Sequence, residues 1–177
     1  LFITWLDPWV WQPQRYPPGF LDRLKSVLRP SVPYVTVSQS DEGLTGRCEL
    51  FQADFPNILV FSAGGYGHVP VPLYHRPEPP RNPKPIRERA YLASYVGSLD
   101  TAPGGFRSEM MRRVRQAGQA AGRNTTYYYG PGWRDVMVDS VVSLVPRGYG
   151  RTAFHLVETV QMGLVPVYVY SDVPWVP

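Results

Sequence analysis

Arg151, His155 and Glu158 fall at i, i+4 and i+7, the spacing of one helical stripe, directly after a loop with glycines at 148 and 150, in PRGYGRTAFHLVETVQMGLVP (146–166). A guanidinium, an imidazole and a carboxylate on one face, beside backbone that turns without side chains in the way, suit the holding of a phosphorylated ligand. A helix starting at Arg151 or Thr152 would aim its unpaired N–H groups and its positive dipole end, roughly half a unit charge, at that ligand. Gly148, Tyr149 and Gly150 would supply loop amides, Arg147 and Arg151 fixed charge, and Thr152 a backbone contact to phosphate. A lone G-x-G also serves plain crossover turns, so the loop by itself does not decide.

Elements fit to position these groups flank them on both sides. Val141–Val145 is a short apolar run that reads as a buried strand leading into the loop. Ala153, Leu156, Val157 and Val160 recur at helical spacing and predict the buried face of the following helix, with Arg151, His155 and Glu158 on the other. Gly163 stops that helix, Pro166 follows, and Leu164–Tyr170 predicts another valine-rich strand. The unit is strand, glycine loop, helix, strand.

From Ser140 to Pro174 the chain resembles the exostosin-like family of glycosyltransferases. The family pattern runs approximately S-x-F-x-L-x-P-R-G-x-G-x-T-S-x-R-x-x-E, then G-x-x-P-V and an aspartate before a proline. Ser140, Leu144, Pro146, Arg147, Gly148, Gly150, Thr152, Glu158, Gly163, Pro166, Val167, Asp172 and Pro174 fall in register with it. Upstream, FSAGGYGHVPVPLYH (61–75) resembles the segment in which the family carries G-x-D-x-x-I-P, and RAYLASYVGSLDT (89–101) resembles the opening strand of its second domain, with Arg107 after it. Ala153 and His155 depart from the family's serine and arginine. An imidazole of ordinary pKa is only partly charged at neutral pH and anchors a diphosphate less firmly than a guanidinium.

The resemblance implies an inverting, metal-independent glycosyltransferase that moves a sugar from a nucleotide-diphospho sugar, UDP- or GDP-linked, to a glycan or glycoprotein acceptor, with no other cofactor. Glu158 would hold the donor's ribose, Arg147, Thr152 and His155 its phosphates, and Arg107 would lie near the domain interface, where a structural ion pair is an equal reading. Asp172 is the carboxylate in a matching motif that could serve as the base, unless the base lies outside these residues. The family's address is the Golgi membrane, lumenal side. The alternative is a noncatalytic member that binds sugar or partners an active subunit, for which His155 is the main argument. A dehydrogenase phosphate site fits less well, because the loop is not G-x-G-x-x-G and comes late in the chain.

Composition agrees with a globular chain: of 177 residues, 44% are hydrophobic and 18% charged, enough to bury a core. The net charge of +4 is modest and scattered, which argues against nucleic acid as a partner. No run reaches the ~18 apolar residues of a membrane span, so any anchor is expected outside these residues, and the chain reads as a fragment. An oligomer is left open. Cys48, a lone cysteine, excludes an internal disulfide and a cysteine-cluster metal site. No D-x-D triplet occurs, and His68, His75 and His155 lack the spacing of a histidine metal pair, so no metal is expected. Asn124-Thr125-Thr126 is an N-glycosylation sequon, compatible with a secretory lumen.

Pro77, Pro79, Pro80, Pro83 and Pro85 oppose helix and ladder alike, marking 76–89 as a linker between a partial N-terminal, acceptor-side α/β domain (1–80) and a partial nucleotide-sugar domain (90–177). Before the linker, 20–28 predicts a helix and 34–38 and 57–62 predict strands; after it come strands at 91–96 and 125–129 and helical stretches near 108–121 and 133–139. Alternating strands and helices imply a doubly wound parallel sheet, and the resemblance makes it Rossmann-like in a GT-B architecture. Such sheets bind ligands beyond their strands' carboxyl ends, where Gly97, the 98–107 loop, 130–133 and 147–152 would gather. Tyr127, Tyr128, Tyr129 and Trp133 could stack on a base or sugar there, or simply pack the rim.

Overall fold

The computed structural model describes residues 3, 5, 16–39, 44, 54–63, 67–79, 84–148 and 152–170. It is a mixed α/β protein with two parallel sheets, compatible with a Rossmann-like fold. The chain divides into two compact units, Leu1–Tyr74 with Gly150–Thr152 and Trp175–Pro177, and His75–Tyr149 with Ala153–Pro174. No helix among the described residues is long and apolar enough to cross a membrane.

In the N-terminal unit, helix α1 (Phe20–Val27) precedes strands β1 (Tyr34–Ser38), β2 (Ile58–Ser62) and β3 (Val69–Pro70), which pair in parallel in that order. Leu24, Phe55, Ile58 and Val60 pack around Trp5, whose buried indole N–H donates to Thr36 Oγ1 at 2.7 Å. Pro70 sits on the edge strand, where a missing N–H costs no ladder bond.

The C-terminal unit runs β4 (Tyr91–Val96), α2 (Phe106–Ala120), β5 (Thr125–Tyr128), α3 (Trp133–Val138), β6 (Ser140–Pro146), α4 (Phe154–Gln161) and β7 (Val165–Val169). All pairs are parallel and the order is β5-β4-β6-β7, so the chain adds β5 on one side of β4 and then crosses back to place β6 on the other. Strand alternation gives the sheet two buried faces. Ala93, Tyr95 and Leu144 meet Met110 and Met111 of α2, while Val96 and Leu164 pack with Met137 of α3 and Met162 at the end of α4.

Two expectations for α4 fail. The helix opens at Phe154 rather than Arg151 or Thr152, because Ala153 is extended (φ −143°, ψ 130°) and offers no capping side chain. Its face is also turned. Val160, expected inside, is 58% exposed, whereas Thr159 is fully buried and His155 and Glu158 are half-buried. The sheet beneath explains this: Ser94 and Ser143, paired in register, put two small hydroxyl side chains where an apolar helix face would find little to pack on.

The proline-rich stretch carries no ladder in its described parts, only a 3-10 turn at Ile86–Glu88. Its opening residues are nonetheless fixed to the C-terminal unit: the Glu78 N–H donates to Gln161 Oε1 at 2.9 Å. Residues 80–83 of the expected linker lie outside the described residues.

Candidate functional site

Glycines that a side chain would strain follow strands β4 and β5 within two residues: Gly97 has φ 134° and Gly130 φ 145°. A Cβ on Gly97 would lie 3.0 Å from the Tyr95 hydroxyl, which donates to Ser98 O at 2.8 Å. Burial pushes the Tyr95 phenol up to about 12, so it stays a neutral donor. Beside these strand ends, next to the point where strand order reverses, lies a cavity of about 380 Å³. Gly97, Gly130, Tyr129, Trp133, His155 and Glu158 line it. Its volume falls in the range of small-ligand pockets.

A continuous polar chain runs along one side. Ser143 Oγ is 3.0 Å from His155 Nε2, and His155 Nδ1 is 3.2 Å from Glu158 Oε2. Glu158 Oε1 in turn is 3.1 Å from His75 Nε2, and His75 Nδ1 is 2.6 Å from the Arg76 carbonyl. A carboxylate only accepts, so His155 Nδ1 carries the proton and Nε2 accepts from the Ser143 hydroxyl; this tautomer is assigned from the network. Alongside, Arg134 makes two bonds to Glu78, Nε to Oε2 at 2.5 Å and Nη2 to Oε1 at 2.7 Å, and lies 4.0 Å from the Trp133 ring centroid. The bond to Glu78 raises the Arg134 pKa.

Ser143, His155 and Glu158 have the connectivity of a nucleophile, base and orienting acid. Ser143 is fully buried within β6, so no substrate reaches its oxygen, and the relay instead fixes the ring of His155 and one oxygen of Glu158. Thr159 satisfies its buried hydroxyl inside α4 by donating to the His155 carbonyl at 2.6 Å.

Of the residues expected in the donor site, His155 and Glu158 line the cavity and touch each other. Arg107 spans the ends of β4 and β6: its Nε donates to Arg147 O at 3.0 Å and its Nη1 to Ser98 O at 2.8 Å and to Thr101 Oγ1. These bonds fix loops, and among the described residues Arg107 forms no ion pair. Arg147 is 9% exposed and donates from Nε to Gly148 O at 3.3 Å. Thr152 is buried and lies outside the helix it was expected to open. Tyr149, Gly150, Arg151 and the candidate base Asp172 lie outside the described residues.

Sequence reasoning missed His75, Glu78, Arg134 and Ser143. Spacing could not pair His75 with Glu158 across 83 residues, and the one local signal was H-x-x-E at 75–78. His68 is structural, accepting from the Val60 N–H at 3.0 Å. No family model matches the sequence, and no curated protein or solved structure matches it either.

Proposed function

We propose that this chain carries the donor-binding part of a glycosyltransferase that moves a sugar from a nucleotide-diphospho sugar to a glycan or glycoprotein acceptor. The observation that carries the reading is the cavity at the carboxyl ends of β4 and β5, beside the reversal of strand order, where doubly wound sheets take nucleotides. Tyr129 and Trp133 offer aromatic faces for the base, and Glu158 offers a carboxylate for the ribose hydroxyls. Arg147 and the backbone of Gly148, at the end of β6, would stabilise the departing diphosphate, so that transfer with inversion needs no metal. The finer assignments belong to the same proposal: the two units as the domains of a GT-B enzyme, and a lumenal Golgi address.

One observation favours the noncatalytic alternative. Both nitrogens of His155 are engaged by protein groups, so it offers no N–H to phosphate where the resembled family has an arginine. Its role here is to orient Glu158. Thermal shift with UDP- and GDP-sugars tests binding: at a hundred times Kd a donor adds about 2.7 kcal/mol of stability. Glu158→Gln should abolish that shift, and slow release of free nucleoside diphosphate from the donor should distinguish enzyme from binding subunit. A parent protein indifferent to every nucleotide sugar, or a Glu158→Gln variant that responds like the parent, would refute the assignment.

A further inference from the structure

We propose that His75, Glu78 and Glu158 form a binding site for a divalent transition-metal ion of the zinc class. One ligand atom from each residue lies within 4.8 Å of the others. An imidazole and two carboxylates are a donor set for borderline cations such as Zn²⁺ or Co²⁺, whereas Mg²⁺ and Ca²⁺ prefer oxygen throughout.

The hydrogen bonds around His75 point the same way. Its Nδ1 faces the Arg76 carbonyl at 2.6 Å, and a carbonyl only accepts, so Nδ1 holds the ring's proton. That leaves Nε2 facing Glu158 Oε1 at 3.1 Å, where a neutral ring offers its lone pair to a cation shared with the carboxylate, in place of the N–H that an imidazolium would donate to it. Charge counting agrees. Among the described residues the two carboxylates, Glu78 and Glu158, share one guanidinium, that of Arg134, which bonds Glu78 at both oxygens.

Each ligand is also held from behind. His75 donates Nδ1–H to a backbone carbonyl, the usual support of a metal-bound histidine. Glu78, with its side chain 4% exposed, is gripped at both oxygens by Arg134, and Glu158 Oε2 is held by His155. His75 and Glu158 keep 17% and 19% side-chain exposure, and Glu158 lines the cavity, so an ion can enter and keep an open coordination position. This site does not rest on the transferase reading, although the two share Glu158.

The test uses the whole chain, stripped with chelator and then titrated with Zn²⁺ and with Co²⁺. Bound metal is read by elemental analysis after dialysis and by the visible d–d absorption of cobalt. The parent should retain one ion per chain. His75→Asn keeps an amide donor for the Arg76 carbonyl but removes the Nε2 ligand, and it should weaken binding at least tenfold, as should Glu78→Gln. Circular dichroism of the metal-free variants confirms that they fold. A parent that retains no ion, or His75→Asn and Glu78→Gln variants that bind with the parent's affinity, would overturn the site. Neither residue lines the donor cavity, but His75 touches Glu158, so the nucleotide-sugar thermal shift is measured on the metal-free parent, where its outcome is independent of the ion.

Discussion

Ser94 and Ser143 are register partners on adjacent strands, both fully buried on the same face, yet replacing each with alanine should change stability in opposite directions. Ser143 Oγ bonds His155 Nε2 at 3.0 Å. Removing it loses that bond and strands a half-buried ring nitrogen, at a cost of about 1–2 kcal/mol. The Ser94 hydroxyl is buried and finds no hydrogen-bond partner among the described residues. Deleting it relieves a desolvated polar group worth about 1–2 kcal/mol, against roughly 0.4 kcal/mol for the small void left behind. The two variants should therefore differ by about 2.5 kcal/mol, a factor of roughly 60 in amide exchange at 1.4 kcal/mol per decade. Hydrogen–deuterium exchange of peptides covering β4 and β6 reads this locally, slower than the parent for Ser94→Ala and faster for Ser143→Ala. If both variants exchange faster to a similar degree, the assigned hydrogen bond does not govern this face.

Gly118→Ala sets two effects against each other: alanine gains about 1 kcal/mol of helix propensity, but its Cβ would lie 2.8 Å from Thr125 Cγ2 and 2.9 Å from the Arg123 carbonyl. Backbone does not yield, so overpacking of about 1–3 kcal/mol should win and the melting temperature should fall; a rise would show that the α2–β5 contact is loose. On the exposed side of α2, hydrogen bonds from Arg112 and then Arg113 lower the Glu109 pKa from 4.5 to about 2. A depressed carboxyl pKa means that its contribution to stability is whole above 4.5 and disappears as pH falls toward 2. An NMR titration of the Glu109 carboxyl should find its midpoint well below 4.5, and Arg112→Gln should raise it; an ordinary midpoint in the parent would refute the pairing.

The strands of the C-terminal unit were legible because valine, tyrosine and leucine cluster in short runs between glycine and polar breaks, and β4 falls where the sequence puts it. Helix α4 was legible in period but not in phase. Apolar residues were expected inside, and only the hydroxyl-lined strip of Ser94 and Ser143 explains why Thr159 goes in and Val160 stays out. Half of the site was readable, His155 and Glu158, since both stand on one element with a regular period. The other half was not. His75 and Glu78 sit in a stretch without helix or strand, whose place is set by partners some 80 residues away.

The tether of residues 75–78 has a consequence for how the chain can be divided. The proline run invites a cut near Arg89, because little regular structure would be severed there. A piece starting at that point would take from Arg134 the carboxylate that it bonds twice and leave Glu158 facing one imidazole instead of two. Its sheet would be intact while the polar side of its cavity would not. The smallest excised piece able to report on this chemistry therefore begins at or before His75.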